Sequence, residues 1–365
     1  MKNNSSSNHY AVIMAGGVGS RFWPVSRTAK PKQFIDIAGT GMSLIQATYE
    51  RFKNIVPEQN IYILTNEKYK DLVAEQLKGI QQYQILCEPV MRNTAPCIAY
   101  ACHKISELNP NASIVVAPSD HLILNPTQFG SDVSKALQTA EANSCLITLG
   151  IQPSRPDTGY GYIRFNNEEL GEGFKKVAQF TEKPDKERAQ AFIESGDYLW
   201  NAGIFIWSAA AILKAFEAQL PEMNELFLQG RQVYNTDGEA AFLKENYPAC
   251  ENISIDYGIM EKAQNVYVLP VEFGWSDLGT WASLYSLSGK DESQNVVIPS
   301  SGTILNQTSG CMINIPEGKK LIVSGLQDYI IAESNDTLMI IPRDSEQEVK
   351  QIVSDVKSKF GEHYA

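Results

Sequence analysis

A chain of 365 residues is long enough for two domains, one of them holding a full α/β core. Its 31 basic and 42 acidic residues give a formal net charge of -11, which excludes non-specific binding to nucleic acid or to an anionic membrane surface but leaves room for a locally positive pocket. No apolar run approaches the length that spans a bilayer, and the opening MKNNSSSNHY lacks the apolar stretch of a secretory signal, so residues 1–9 are expected to form a disordered tail on a cytoplasmic protein.

The first half alternates strand and helix. Residues 10–15 (YAVIMA) read as a buried strand with a glycine-rich stretch after it, and apolar positions over 44–52 suggest a helix. Residues 61–65 (IYILT) form the next strand, after which Asn66 caps a helix with Tyr69, Leu72, Val73 and Leu77 on its apolar face. A strand at 84–87, a helix over 94–108, a strand at 114–117 (IVVA), a helix marked by Val133, Ala136, Leu137 and Ala140, and a strand at 145–149 continue the alternation. Repeated units of this kind imply an α/β fold: a Rossmann-like, mostly parallel sheet with helices on both faces. Ligands of such sheets bind beyond the carboxyl ends of the strands, so every motif that follows a strand points toward one crevice.

Strands at 160–165, 175–182 and 201–207 extend the sheet. After about Ser288 short strand-like runs recur (NVVI, GTIL, CMINI, KLIVSG, YIIAES, TLMIIP) without a repeat of fixed period. They predict a small β-rich, β-helix-like module over 289–365. It ends in a helix starting at Ser345, where Ser345 and Glu348 stand at capping-box spacing. Residues 10–288 make up the α/β domain. The six cysteines form no Cys-x-x-Cys pair and read as buried thiols, and the four histidines are too dispersed for a ligand cluster.

Chemistry concentrates in a few segments. Gly16, Gly17 and Gly19 follow the first strand and let backbone N–H groups approach a polyphosphate, with Arg21 adding a bidentate cation. The spacing is neither Gly-x-Gly-x-x-Gly nor a P-loop. Asp120 follows the strand IVVA, and Asp277 lies far along the chain in Trp-Ser-Asp-Leu-Gly-Thr-Trp. Two carboxylates meeting on triphosphate oxygens would suit Mg²⁺, although an Asp after a strand is more often a turn or a cap. Further on, Gly161 permits close approach to a sugar ring, Glu182 and Asn201 offer hydrogen bonds to hydroxyls, and Lys183 offers a charge to a sugar phosphate. Each of these taken alone could equally be a turn glycine, a surface ion pair or a strand-end cap.

The run from Gly16 through Arg21-Phe22-Trp23-Pro24, followed by Pro31-Lys32-Gln33-Phe34, resembles the signature of the sugar-nucleotide pyrophosphorylases, in the form seen in their mannose-1-phosphate guanylyltransferase branch. Later motifs keep that family's order: Arg92-Asn93-Thr94-Ala95-Pro96, Ser119-Asp120-His121, Glu182-Lys183-Pro184, Asn201-Ala202-Gly203 and the segment around Asp277. Met91 and Cys97 stand where the family usually has glycine and alanine. The resemblance implies transfer of GMP from GTP to α-D-mannose 1-phosphate, with Mg²⁺ or another divalent metal on Asp120 and Asp277. It assigns catalysis to Arg21, Lys32, Asp120 and Asp277, and nucleotide binding to Ala15, Gly16, Gly17, Gly19, Ser20, Arg21, Lys32, Glu88, Asn93, Thr94, Ala95 and Ser119. Sugar-phosphate binding falls to Tyr160, Gly161, Glu182, Lys183 and Asn201, with a weaker part for Asp256, while His121 is expected to be structural or a minor sugar contact. The chain lacks the histidines of an appended cupin isomerase and is expected to be monofunctional, without nucleic-acid or membrane partners, and a homo-oligomer with the dimer as first expectation. Two alternatives stand beside this reading: another nucleoside triphosphate and sugar phosphate pair, or a non-catalytic GDP-mannose-binding regulatory paralogue.

Overall fold

The segment HYAVIM is buried along nearly its whole length, and as strand His9–Met14 it pairs in parallel with Ile61–Asn66 on one side and Ser113–Pro118 on the other. The computed structural model, which describes residues 7–17, 19–334 and 336–365, builds a nine-stranded sheet around this strand. The order is Ile85–Glu88, Ile61–Asn66, His9–Met14, Ser113–Pro118, Tyr198–Ser208, Leu146–Ile151, Val266–Val271, Phe174–Glu182, Gly161–Gly171. Among the described residues only Tyr198–Ser208 and Phe174–Glu182 run against the other strands, so most of this α/β sheet shares one direction. The exception matters: Tyr198–Ser208 enters antiparallel between Ser113–Pro118 and Leu146–Ile151, in the middle of the sheet. A strand's neighbours are not written in its own periodicity, which is why the sequence places 201–207 only as an extension.

Side chains along His9–Met14 alternate between two covered faces. Tyr10 and Val12 join a core with helices Thr94–Leu108, Ala209–Gln219 and Pro221–Gln229. Ala11 and Ile13, fully buried, face the other way, the side of helix Pro126–Ala142 with its inward Phe129, Val133, Ala136, Leu137 and Ala140. All six cysteines are free thiols, and five are buried. Among the described residues no helix is long and apolar enough to cross a membrane.

The chain falls into two compact units. The first comprises residues up to Gly16, Thr48–Ser119 and Ile123–Trp275, and contains the large sheet. The second joins Ser276–Ala365 to two segments from the other half of the sequence, Gly17–Ala47 and Asp120–Leu122. Within it three short strands, Val296–Ile298, Met312–Asn314 and Tyr329–Ser334, stack in parallel, and so do Thr303–Asn306 and Leu321–Ser324. Successive rungs are 16 and 18 residues apart along one ladder and 18 along the other. This is a parallel coil whose uneven turns conceal its period in sequence. Cys311, Ile313, Ile315, Val323 and Ile331 fill it.

A second core in this unit gathers Phe22, Trp23, Trp281 and Leu284 with Met312, Ile330 and Val349, the ring of Phe22 meeting Trp281 edge-on at 5.0 Å. The expected helix start at Ser345 is corrected here. Arg343–Glu348 is wound as a 3-10 turn, and the α-helix runs Val349–Phe360 with Glu348 at its N-cap and no side-chain cap bond. The acceptor that a box would leave idle is used elsewhere: Glu346 Oε2 accepts the Ala282 N–H at 2.8 Å, tying the turn to helix Trp281–Leu287. A capping box forms instead at that helix, between Thr280 and Ser283.

One ion pair is sealed inside the first unit. Lys104 Nζ reaches both carboxylate oxygens of Glu239, at 2.8 and 2.5 Å, with Tyr100 OH and the Asn235 N–H (2.8 Å) completing the shell. Lys104→Met strands the carboxylate and is expected to cost about 3–5 kcal/mol, read as a lower urea midpoint, most of it recovered in Lys104→Met/Glu239→Leu. A single mutant with the wild-type midpoint overturns this assignment.

Candidate active site

In the first unit the motif residues cluster at strand ends. Ala15, just past His9–Met14, donates its N–H to Leu64 O at 2.7 Å and accepts from Thr65 Oγ1 at 3.0 Å, which fixes where the glycine stretch departs. A Cβ on Gly16 would stand 3.2 Å from Glu88 Oε1, so the glycine brings bare backbone up to that carboxylate. Glu88 ends the strand Ile85–Glu88, and its Oε2 accepts from Tyr247 OH at 2.9 Å. Burial pushes its carboxyl up to about 7 against the opposing pull of the Tyr247 hydrogen bond, so near neutrality it can both donate and accept. Ser119 is buried, its N–H bonded to Met14 O and its carbonyl to Thr48 Oγ1.

Asn93 has φ 64° and ψ -162°, a backbone region that glycine fills far more easily, and its side chain caps the helix by accepting from Thr94 N at 3.0 Å. Thr94 Oγ1 accepts from Ile255 N at 2.9 Å and Ala95 N donates to Ile253 O at 3.1 Å. The capping reading of this stretch is therefore satisfied. The same bonds tie it to the loop that delivers Asp256. Arg92 turns inward instead, donating to Pro248 O at 2.7 Å.

Tyr160, Gly161, Glu182, Lys183, Asn201 and Asp256 come together. Gly161 and Glu182 are register partners, and a Cβ at 161 would collide with Glu182 Oε2. Lys183, at φ 47°, pairs its ammonium with Glu182 Oε1 at 2.6 Å, a contact that raises the pKa of this largely exposed amine. Asn201 donates from Nδ2 to Asp256 Oδ1 at 2.8 Å, and its Oδ1 accepts from Thr148 Oγ1 at 3.1 Å and from Gly203 N at 3.0 Å. Burial, with the charge of Glu182 added, lifts the Asp256 carboxyl to about 6, opposed by Asn201. The ring of Tyr160 stands edge-on to Trp200 and Trp275 at 5.0 and 5.2 Å, and Arg155, paired with Asp157 at 2.7 Å, lies over Trp200. Thr148, Trp200 and Arg155 carry no signal in the sequence. A threonine inside a buried strand looks like any other core position, and only its bond to Asn201 sets it apart.

The second unit holds the four residues assigned to catalysis, and three of them meet. Lys32 Nζ lies 2.9 Å from Asp120 Oδ2 and donates to the carbonyls of Asp277 at 2.8 Å and Leu278 at 3.1 Å. The lysine is 6% exposed, in the short turn Lys32–Phe34. Burial would raise the Asp120 carboxyl, but Lys32 and His121 outweigh it and hold it below the usual carboxylate range. Asp277 Oδ1 accepts from Gly279 N at 3.1 Å, and a Cβ at 279 would fall 2.8 Å from Asp277 Oδ2. Gly19, at φ 56°, packs its bare Cα against Lys32, where a Cβ would approach to 2.9 Å. Gln33 Nε2 binds Gly17 O at 2.8 Å and Ser26 Oγ binds Gly19 O at 2.6 Å, two loop supports to which the motif alone gave no role. Arg21 is exposed, without an ion pair or hydrogen bond among the described residues. Ser20 opens the turn Ser20–Phe22, and its side chain lies outside the described residues.

The chain matches the family model for nucleotidyl transferases over residues 10–294, and it belongs to that family. Its relatives narrow the branch. It is 37% identical over 360 residues to the mannose-1-phosphate guanylyltransferase RfbM of Salmonella typhimurium, spanning 97% of this chain and 73% of that protein. It is 34% identical over 367 residues to the mannose-1-phosphate guanylyltransferase of Escherichia coli, spanning 97% and 74%. A crystal structure from Thermus thermophilus, named mannose-1-phosphate geranyltransferase, shares the fold at TM-score 0.86 and 30% identity over 96% of this chain and 99% of that one. The family resemblance carried by the glycine loop and the later motifs is borne out at this level.

Glu88 supplies a pH test. With its folded pKa raised from 4.5 to about 7, the native chain keeps a proton that the unfolded chain has released, so stability falls as pH rises through that window. Denaturation midpoints at pH 5 and pH 8 should differ less in Glu88→Gln than in wild type. Equal pH dependence in the two would show that the carboxyl is not held this way.

Proposed function

We infer that the protein transfers GMP from GTP to mannose 1-phosphate, giving GDP-mannose and pyrophosphate. A phosphate oxygen of the sugar phosphate attacks the α-phosphorus of GTP, and the bond from that phosphorus to the bridging oxygen breaks as pyrophosphate departs. The attacking phosphate has a second pKa of about 6 and is already largely dianionic at neutral pH, so the step needs no strong base. The obstacle is repulsion between two anions, which favours fixed cations over acid–base groups. Lys32 carries this reading: an ammonium nearly withdrawn from water, aimed by Asp120 and two carbonyls, beneath the bare backbone of Gly19.

The other roles follow from the chemistry of each group. Arg21 offers an unengaged guanidinium to the triphosphate, and the backbone of Ala15, Gly16, Gly17, Gly19 and Ser20 offers N–H donors. Glu88, with Asn93, Thr94 and Ala95, serves the nucleotide, and Ser119 holds the strand end beside it. Glu182, Asn201 and Asp256 suit sugar hydroxyls, Lys183 the sugar phosphate, and Tyr160 with Gly161 the face of the ring.

A divalent metal is general in this family, and the donor set here fits one: Asp120 and Asp277 provide hard carboxylate oxygens, while no group of three or more metal-capable side chains exists among the described residues. Triphosphate and water oxygens would complete the shell, as is usual for Mg²⁺. When bound, the ion supplies positive charge to the phosphoryl oxygens.

Asp120→Ala and Asp277→Ala are each expected to lower turnover by orders of magnitude, Asp277→Ala with the thermal transition preserved and Asp120→Ala with a lowered one because it strands the Lys32 ammonium. Pyrophosphate release across four nucleoside triphosphates and several sugar phosphates should favour GTP with mannose 1-phosphate. Near-normal turnover removes the mutated aspartate from the site, and preference for another pair overturns the substrate assignment. The reading includes a homodimer, which light scattering would show as twice the 40.5 kDa chain mass; a monomer at working concentration sinks it.

A further inference from the structure

The first unit contains a cavity of about 940 Å³ that shares no residue with the groups described above. It lies at the opposite end of strand His9–Met14 from Ala15 and Gly16, and six residues of strand put about 20 Å between the two places. One wall is a face of helix Pro126–Ala142, where Thr127, Ser131 and Ser134 stand at i, i+4 and i+7. The end of helix Leu44–Lys53 supplies the other, with Arg51.

The lining contains no acidic residue, although acidic residues outnumber basic ones 42 to 31 in the chain. Arg51 is the group that needs explaining. Its guanidinium rests over the Phe129 ring at 5.3 Å, and among the described residues it has no ion pair or hydrogen bond. Burial pushes its pKa down to about 10, so it remains a cation at neutral pH. A half-buried guanidinium more often has a carboxylate or carbonyl beside it. Lys135 also lines the cavity, but its ammonium is engaged by Glu172, donating to the backbone carbonyl and lying 3.9 Å from the carboxylate, which leaves Arg51 as the cation at issue. His9 is turned to Glu141 at 3.3 Å.

We propose that this cavity binds a phosphorylated small molecule, with the Arg51 guanidinium as its counter-ion and the hydroxyls of Thr127, Ser131 and Ser134 as further donors. A guanidinium fork with several hydroxyls around it matches a tetrahedral oxyanion rich in acceptors. The volume sits near the top of the range for small-ligand sites, about 300–1,000 Å³, and exceeds what one inorganic phosphate fills. The fitting ligand is therefore a phosphate carried on a sugar or nucleoside.

Equilibrium dialysis of the full chain with labelled GDP-mannose, and separately with labelled inorganic phosphate, tests this against Ser131→Glu and Arg51→Gln. Ser131 is exposed on the helix, and glutamate suits a helix while adding a carboxylate to the lining that Arg51 shares. Wild type should bind one equivalent more than Ser131→Glu, or bind it at least tenfold more tightly, while GMP transfer by Ser131→Glu stays at the wild-type rate. An effect seen only with inorganic phosphate would make the free ion the ligand and overturn the larger one. The same stoichiometry and affinity in wild type and Ser131→Glu overturns the site, and an extra equivalent that survives Arg51→Gln overturns the counter-ion.

Discussion

An ammonium group withdrawn from water must find oxygen, and around Lys32 there are three: a carboxylate oxygen of Asp120 and the carbonyls of Asp277 and Leu278. An ion of this size left uncompensated inside a protein costs several kcal/mol. The arrangement therefore constrains three stretches of chain at once: the turn Lys32–Phe34, the short piece after Ser119, and the segment entering helix Trp281–Leu287. It also explains why the second unit draws Gly17–Ala47 and Asp120–Leu122 to the C-terminal part of the chain. The site and the packing of that unit rest on the same charge.

The glycines answer to this constraint by what they leave out. Gly19 yields space to the Lys32 side chain, Gly279 to the Asp277 carboxylate, Gly16 to Glu88 and Gly161 to Glu182. In each case the missing Cβ lets a charged or titratable group stand against backbone. Exposed N–H groups next to fixed charges are what a polyanion requires. In the first unit, Thr148, Asn201 and Asp256 form a chain of hydrogen bonds from the sheet interior to the sugar-binding candidates, and it holds Asp256 rigid at the cost of burying its carboxyl.

Ala15, Gly16, Glu88 and the sugar-phosphate candidates, Lys183 among them, belong to the first unit, and Arg21, Lys32, Asp120 and Asp277 belong to the second. The parallel coil continues into the core that contains Phe22 and Trp23, so the residues following the glycine loop are packed by the C-terminal part of the chain. Trp23 adds a direct tie, its Nε1 donating to Tyr364 O at 2.7 Å. A β-rich tail that looks like an appendage in sequence thus helps support the loop.

Much of this is legible in the order of the residues alone. Buried strands announce themselves as unbroken apolar runs, as in YAVIMA and IVVA, because both faces of the sheet are covered. The glycine loop, Lys32, Asp120, Asp277 and the sugar motifs are local words whose chemistry can be read in place. What local patterns could not carry was partnership. The antiparallel entry of Tyr198–Ser208, the interleaved units, the parallel coil with its uneven turns, the bond from Thr148 to Asn201, and the choice of Thr280 over Ser345 for a capping box all depend on residues far apart in the chain. Residue types and their spacing determined which groups were available for the chemistry. Only the tertiary structure decided which of them meet, because a hydrogen bond or an ion pair is fixed by distance in space, and separation along the chain does not set that distance.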